Sequence, residues 1–470
     1  MLAAGGGASR PVLAPVLTAC FALIQPLRVR ARTLAGVTAQ TLKLRRGLVI
    51  AVAMGVMNVA TYGFTIVAAR ILGPGDYGAL AALMGVLMVI SVASLALQAT
   101  AARRIAAAPR DVRQIESVIL RVGVQASLGV AAVCLLLSPL IDLVVRLDSP
   151  GTAALLAVAA FPVTLMGAQA GILQGERRWW PLALIYLGVG VPRLLVGTAM
   201  ILWRPTEFAA LSGVALAAYV PVLVGWVALR HPREPGEQSL EHTSRALWHE
   251  TFHNSHTLLA FFALSNIDIL VARNVLDARQ AGLYAGGLIL VKAVLFLPQF
   301  VVVLAFPSMS EAVAARAALF KSLVVVAVLG AVAALGAMVL SGLAVAFVGG
   351  EQYSSIQEEL WVFASLGTVL SMVQLLVYSV LARQARRAVL LVWGALATVA
   401  VAGQLADSVN GLLLVVLGID TALLACLLGV SLVHAQRTAH ETPPSRSVSG
   451  GVPAAAGPDG HVEGHRQLRR

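Results

Sequence analysis

The sequence predicts an all-α fold: a polytopic membrane helix bundle of about twelve transmembrane helices in two six-helix lobes, with both termini cytoplasmic. Three observations predict it. The composition is too apolar for a soluble fold, the apolar residues fall into runs of spanning length, and basic residues gather in alternate loops. Of 470 residues, 59% are hydrophobic and 12% charged, and the mean hydropathy is +0.86. A soluble domain carries about 25% charged residues, so too little polar side chain is available to wet a soluble surface. These values exclude a soluble enzyme, a disulfide-rich secreted domain and a disordered chain. They also argue against an outer-membrane barrel, whose strands alternate apolar and polar residues.

Twelve apolar spans lie near 47–69, 78–101, 118–141, 151–173, 180–202, 208–229, 251–272, 281–306, 319–348, 358–381, 387–406 and 411–434. Each is about the 20 residues that cross a bilayer core. The ninth is overlong, which predicts a tilted helix or one that begins on the interface. The connecting loops are short, and no open sheet survives in lipid, so the spans make a helix bundle. Loops 102–117, 174–179, 230–250, 307–321 and 382–387 hold fourteen Lys and Arg; loops 70–77, 142–150, 203–207, 273–280, 349–357 and 407–410 hold five. Cytoplasmic loops collect basic residues, so the first set is expected inside. Six basic residues between Arg28 and Arg46 place the amino terminus on the same side. The same rule accounts for the net charge of +12 without a nucleic-acid partner.

The predicted organisation is a basic leader (1–46), an N-lobe (47–229, spans 1–6), a cytoplasmic linker (230–250), a C-lobe (251–434, spans 7–12) and a disordered tail (435–470). The leader's apolar patch, Val12 to Leu27, is interrupted by Pro15 and Pro26. It is too short and broken to span and has no clear cleavage site, so it is not read as a signal peptide. Arg28, Arg30, Arg32, Lys43, Arg45 and Arg46 suit an interfacial helix on anionic lipid; a poorly ordered leader is the competing reading. Cys20, Cys134 and Cys426 have neither metal-ligand nor redox spacing and read as small buried hydrophobes.

The two halves repeat one another. Span 1 leaves through VAARILGPGDYGALAALM and span 7 through LVARNVLDARQAGLYAGGL. Each has Ala-Arg leaving the span (Arg70, Arg273), a short hydrophilic loop, and a glycine opening the next helix (Gly78, Gly282). Six helices separate the repeats, and an even number restores orientation, so the repeat is parallel, about an axis along the membrane normal. A six-plus-six bundle of parallel halves is a transporter architecture with a cavity between lobes.

At these residues the chain resembles a known family. Asn58 to Thr100 and Asn266 to Ser310 look like the first- and second-lobe signatures of polysaccharide-biosynthesis flippases. These belong to the multidrug/oligosaccharidyl-lipid/polysaccharide (MOP) superfamily, and the resemblance covers roughly residues 47–434. It implies a MATE-like, V-shaped, two-lobed flippase of the cytoplasmic membrane, in the oligosaccharide branch. Such a protein moves a polyprenyl-(pyro)phosphate-linked oligosaccharide across the bilayer by alternating access, for cell-surface polysaccharide synthesis. It is not an enzyme. Expected partners are the lipid-linked oligosaccharide, membrane lipids, and the polysaccharide polymerase and glycosyltransferases of the same pathway. Two lobes already enclose a cavity, so a monomer is expected.

An ionisable residue within a span is costly to keep there, which makes it a functional candidate. Arg193 lies mid-span 5 after Pro192, with Tyr186, Gly190 and Gly197 on its face. Lys292 lies mid-span 8, sharing a face with Tyr284 and Gln299. Asp268 lies in the last turns of span 7. The cargo's phosphate needs cations, so Arg193 and Lys292 are read as its ligands, one from each lobe: a guanidinium grips phosphate bidentately and an ammonium acts as a point charge. Asp268 would counter-charge one of them or carry a coupling H⁺ or Na⁺. An internal ion pair or snorkelling is the competing role. Asn58, Tyr62 and Thr65 form a weaker polar stripe on span 1, which could equally hydrogen-bond between helices. No cofactor, catalytic residue or metal site is expected. The histidines at 242, 249, 253 and 256 read as a wet interfacial face rather than a metal site, and Gly73-Pro74-Gly75-Asp76 reads as a tight turn because it lacks the Lys-Ser/Thr of a nucleotide loop.

Three other functions compete. A multidrug/cation antiporter of the same superfamily would be expected to place acids near span 1 or deep in its lobes. Span 1 has none, Asp268 is the only acid well inside a span, and Asp420 is a weaker case in span 12. A lipid II flippase usually has fourteen spans, against twelve here. A membrane-embedded glycosyltransferase or polymerase needs a sizeable outer loop, and an acyltransferase needs a histidine deep within a span; neither is present.

Overall fold

The computed structural model describes residues 13–230, 243–295, 312–382 and 386–441, with side chains over 47–230, 243–252, 255–295, 319–379 and 389–431. Every regular element among them is helical. Nine helical stretches are long and apolar enough to span, and a tenth, Val389–Leu405, is shorter. The stretch Gly47–Ala107 has 61 residues, about 90 Å of helix against a hydrocarbon core of about 30 Å. It therefore holds two spans, and the reversal falls at Gly73 (φ 73°, ψ 173°), a backbone conformation open to a residue without Cβ. With span 8 described as Ala278–Leu295, all twelve expected spans have a helical counterpart.

Five details differ from the sequence expectation. The last helix, Val409–Glu441, runs into the segment from 435 expected to be disordered. Span 6 is two helices, Glu207–Ala217 and Tyr219–Leu229, because Pro221 offers no N–H to the carbonyl four residues back. Span 9 is not one tilted helix: it breaks at Leu340 (φ −108°, ψ 41°) into Ala312–Val339 and Ser341–Val348, and the Ser341 hydroxyl accepts a hydrogen bond from Gln357 (2.8 Å). The loop 349–357 is largely a 3-10 helix, Glu351–Glu359, with Tyr353 fully buried. The helix of span 7 starts at Ser244, seven residues before the expected start of the span, where the Thr243 hydroxyl accepts from the Ala246 N–H.

Small residues let the N-lobe helices approach closely, as expected where lipid supplies no hydrophobic drive between helices. Gly167, Gly171 and Gly175 on span 4 lie against span 2: a Cβ at Gly167 would fall 2.1 Å from the Ser94 carbonyl oxygen, and one at Gly171 2.5 Å from that of Gln98. Outward faces carry exposed apolar side chains such as Leu128, Leu136 and Leu143 on span 3 and Val328, Val332 and Val339 on span 9. The N-lobe and the C-lobe as far as Leu427 lie in one compact unit; a second begins at Leu428 and includes the end of the last helix, Val409–Glu441.

The span 1–2 helix packs against spans 7 and 8 of the other lobe. At the end bearing the loops poor in basic residues, the repeat-equivalent glycines meet: a Cβ on Gly78 would lie 2.9 Å from the Gly282 Cα. At the basic-rich end, Arg103 and Arg104 grip Glu250, with Arg104 at 2.7 Å. Leu247, in the first turn of span 7's helix, is buried among Ile105, Ile115 and Ile119 of the N-lobe.

Candidate functional site

Arg193 is carried by the helix Trp179–Trp203. A Cβ on Gly190 would lie 2.5 Å from the Met57 carbonyl oxygen, and one on Gly197 would press on the Phe64 ring. These contacts set Arg193 at the depth of the middle of span 1. It is partly exposed and, among the described residues, has neither an anion nor a hydrogen-bond acceptor. A guanidinium at mid-span with its donors unassigned can take an anionic group bidentately.

Lys292 is differently held. Its ammonium donates to the Asn266 side-chain oxygen and to the Ser265 carbonyl (3.3 Å), and it lies 3.7 Å from the Met88 sulfur of span 2. Asn266 is oriented in turn by its amide donating to the Phe262 carbonyl (2.8 Å). These acceptors are neutral, and no carboxylate lies within ion-pair distance of the ammonium among the described residues.

Asp268 makes no ion pair with either cation. It accepts from its neighbour's N–H, Ile269 (2.8 Å), and from the Tyr284 hydroxyl (3.2 Å). Tyr284 is fully buried and packs edge-on against Phe363, centroids 5.5 Å apart. Asp420 of span 12 is 1% exposed, has one carboxylate oxygen without a partner, and is near enough for its charge and that of Asp268 to repel. Asp268 is also near enough to Lys292 for their charges to attract, so the C-lobe interior holds two carboxyl groups and one phenol beside one of the two cations.

Tyr186 joins a polar network between spans 2, 4 and 5: the Gln98 amide donates to the Tyr186 hydroxyl (2.9 Å) and to Gln174 (2.8 Å). Tyr62 reaches across the lobes, its hydroxyl donating to the Ile289 carbonyl of span 8 and its ring stacking with Phe347 at 6.3 Å. Asn58, one turn earlier on span 1, is partly buried. Thr65 bonds back to the Thr61 carbonyl of its own helix. Gln299 lies outside the described residues. The structure thus joins Lys292 to Asn266, Asp268 to Tyr284, and Tyr62 to the opposite lobe, and draws no hydrogen bond between Arg193 and Lys292. Asn266 and Asp420 are the contributors that sequence reasoning left without a role. Asn266 had a signal, its place at the head of the second-lobe signature; the distance in sequence between Asp420 and Asp268 hid their proximity.

A second polar cluster occupies the basic-poor end. A cavity of about 300 Å³ is lined by Asp76, Asp148, Glu207, Arg146 and Arg273. The three acids bring carboxylate oxygens within 4.8 Å of one another, and two guanidinium groups offset their charge.

The chain matches the polysaccharide biosynthesis protein family over residues 44–313. No curated protein sequence matches it. Among solved structures it is similar to the inward-facing form of a multidrug-resistance MATE transporter of the MOP superfamily (13% identity, TM-score 0.61, covering 83% of this chain and 96% of that one). It is similar also to the lipid II flippase MurJ in an inward closed conformation (12% identity, TM-score 0.63, 82% and 87%). A third is a MOP transporter from Pyrococcus furiosus described as having a binding pocket of reversed polarity (14% identity, TM-score 0.50, 84% and 95%).

Proposed function

The chain belongs to the polysaccharide biosynthesis protein family, and from that premise we propose that it flips a polyprenyl-(pyro)phosphate-linked oligosaccharide across the cytoplasmic membrane. The coarser statement, a multi-pass membrane protein of the flippase and transporter fold, follows from the family and the bundle. The finer one is supported chiefly by Arg193, a mid-span guanidinium with no partner among the described residues. An unpaired charge is costly in a membrane, and an anionic cargo offsets that cost. Lys292, held by neutral acceptors at the lobe interface, supplies the second positive charge. Together they would hold the phosphate while the lobes rock about it, in the alternating access of two-lobed transporters. The basic-rich loops face the cytoplasm in this reading, and the basic-poor loops face out. Asp268, Asp420 and Tyr284 are the groups that would take up and release a coupling H⁺ or Na⁺. The chain works as a monomer and does no bond chemistry on its cargo.

The test is flipping of a polyprenyl-pyrophosphate oligosaccharide in proteoliposomes. Arg193→Ala and Lys292→Ala should each lower the rate at least about tenfold, the scale of one lost charge-assisted hydrogen bond, while still inserting and folding. Normal flipping by both variants would remove the assigned cation site. Export of cationic dyes against a proton gradient, with no movement of lipid-linked sugar, would replace the reading with an antiporter.

A further inference from the structure

The basic-poor end of the lobe interface repeats one device twice. Arg70, leaving span 1 of the N-lobe, donates to the Ala346 carbonyl (2.6 Å), in the last turn of span 9 of the C-lobe. Arg273, leaving span 7 of the C-lobe, donates to the Val145 and Arg146 carbonyls (2.8 Å each), at the end of span 3 of the N-lobe. The return contacts also correspond. Gln352 and Tyr353, just after span 9, donate to the Ala69 carbonyl, with Gln352 also reaching that of Arg70. Arg146, just after span 3, donates to the Asn274 carbonyl (2.6 Å) at the end of span 7. Arg70 and Arg273 are equivalents in the internal repeat, as are Gly78 and Gly282, which meet back to back between them. Each lobe thus gives the other the same contact, the isologous pattern of a twofold interface, here within one chain.

We propose that this end is the outer gate of the flippase, held shut by two repeat-related arginine latches, Arg70 with Gln352 and Tyr353, and Arg273 with Arg146. The inference deepens the alternating-access reading above and rests on it. The acceptors are what make these latches rather than permanent joints. Apart from the Gly75 carbonyl, which Arg273 also reaches (3.4 Å), all are main-chain carbonyls in the last turn of a helix or just beyond it, where several carbonyls lack an intrahelical donor and the helix dipole favours a cation. Water can replace a guanidinium there when the lobes part, so opening leaves no carbonyl without a donor. A buried ion pair would instead leave an uncompensated charge on each side. Arg70 is already exposed. When Arg273 withdraws, the N-lobe keeps Arg146 beside Asp76, Asp148 and Glu207, so that cluster retains a counter-charge. The backbone contact of two glycines adds little apolar surface to hold the ends together.

Spin-label distance measurement tests this directly. Labels are attached through Arg204→Cys in the N-lobe and Asp407→Cys in the C-lobe, both exposed and at this end, in full-length protein whose three native cysteines are replaced. Removing a contact made in only one state shifts the population toward the other. Arg70→Gln should raise the ratio of long to short distances roughly tenfold, as expected for one charged hydrogen bond. Arg273→Gln should do the same, and the double variant more. Arg273 is buried, so Arg273→Lys, which keeps the charge but not the fork onto two carbonyls, is measured beside it and should shift in the same direction. Arg279→Gln, removing a charge from the same loop, should leave the distribution unchanged. Distributions for the Arg70 and Arg273 variants that match the unsubstituted protein would overturn the proposal, as would an equal shift from Arg279→Gln. The measurement needs no cargo, so the gate can fail while flipping persists, or stand while the cargo assignment fails.

Discussion

Arg193 and Lys292 carry the same charge in unlike settings, and the difference predicts different responses to conservative change. The planar fork of Arg193 is unengaged among the described residues, so its value lies in bidentate capture. Arg193→Lys should retain charge yet lose most of the flipping rate, which the proteoliposome assay reads. Lys292 is a point charge placed by Asn266. Asn266→Ala should therefore lower flipping less than Lys292→Ala, by severalfold rather than tenfold or more. Asp268→Asn and Asp420→Asn should leave cargo binding intact and abolish the response of flipping to an imposed H⁺ or Na⁺ gradient. A gradient response that survives both changes would place coupling elsewhere. At this scale the sequence was informative where a charge interrupts an apolar run, as at Arg193, Lys292 and Asp268. It was silent where the role depends on a partner distant in the chain, as for Asp420, or on a carbonyl acceptor, as for Arg146.

The helices were legible from apolar length, but their interruptions were only partly so. Pro221 announces the break in span 6; nothing in the run before Ser341 announces the one in span 9, because hydropathy measures how apolar a stretch is and not whether its backbone is continuous. Close packing left a signature that hydropathy also ignores: Gly167, Gly171 and Gly175 recur every fourth residue and put backbone against backbone. Gly171→Leu should cost about 1–3 kcal/mol or more, the range for overpacking a filled interface, seen as a lower unfolding temperature of the solubilised protein. Gly336→Leu, at a glycine with open space around it, is the matched change and should be nearly neutral. Equal effects from the two would mean that side-chain size, and not the span 2–span 4 contact, sets the loss.

For the whole molecule, the repeat foretold a two-lobed bundle and the family resemblance a MATE-like one before any coordinates, since both are properties of the chain's order. Sidedness is a separate matter, predicted from fourteen basic residues against five. A phosphatase reporter active only outside the cell should be active when fused after Arg204 and inactive when fused after Arg178. The reverse pattern would invert the bundle and make the proposed gate an inner one. What loop counting could not foretell is which lobe holds a given helix. Span 7 belongs to the C-lobe by sequence, yet Glu250 and Leu247 near its start and Arg273 near its end are all fastened to the N-lobe. It is a beam clamped at both supports. Freed at the Arg273 end alone, it becomes a cantilever rooted at Glu250, and the remaining C-lobe helices must then slide along it or bend it instead of swinging as one block.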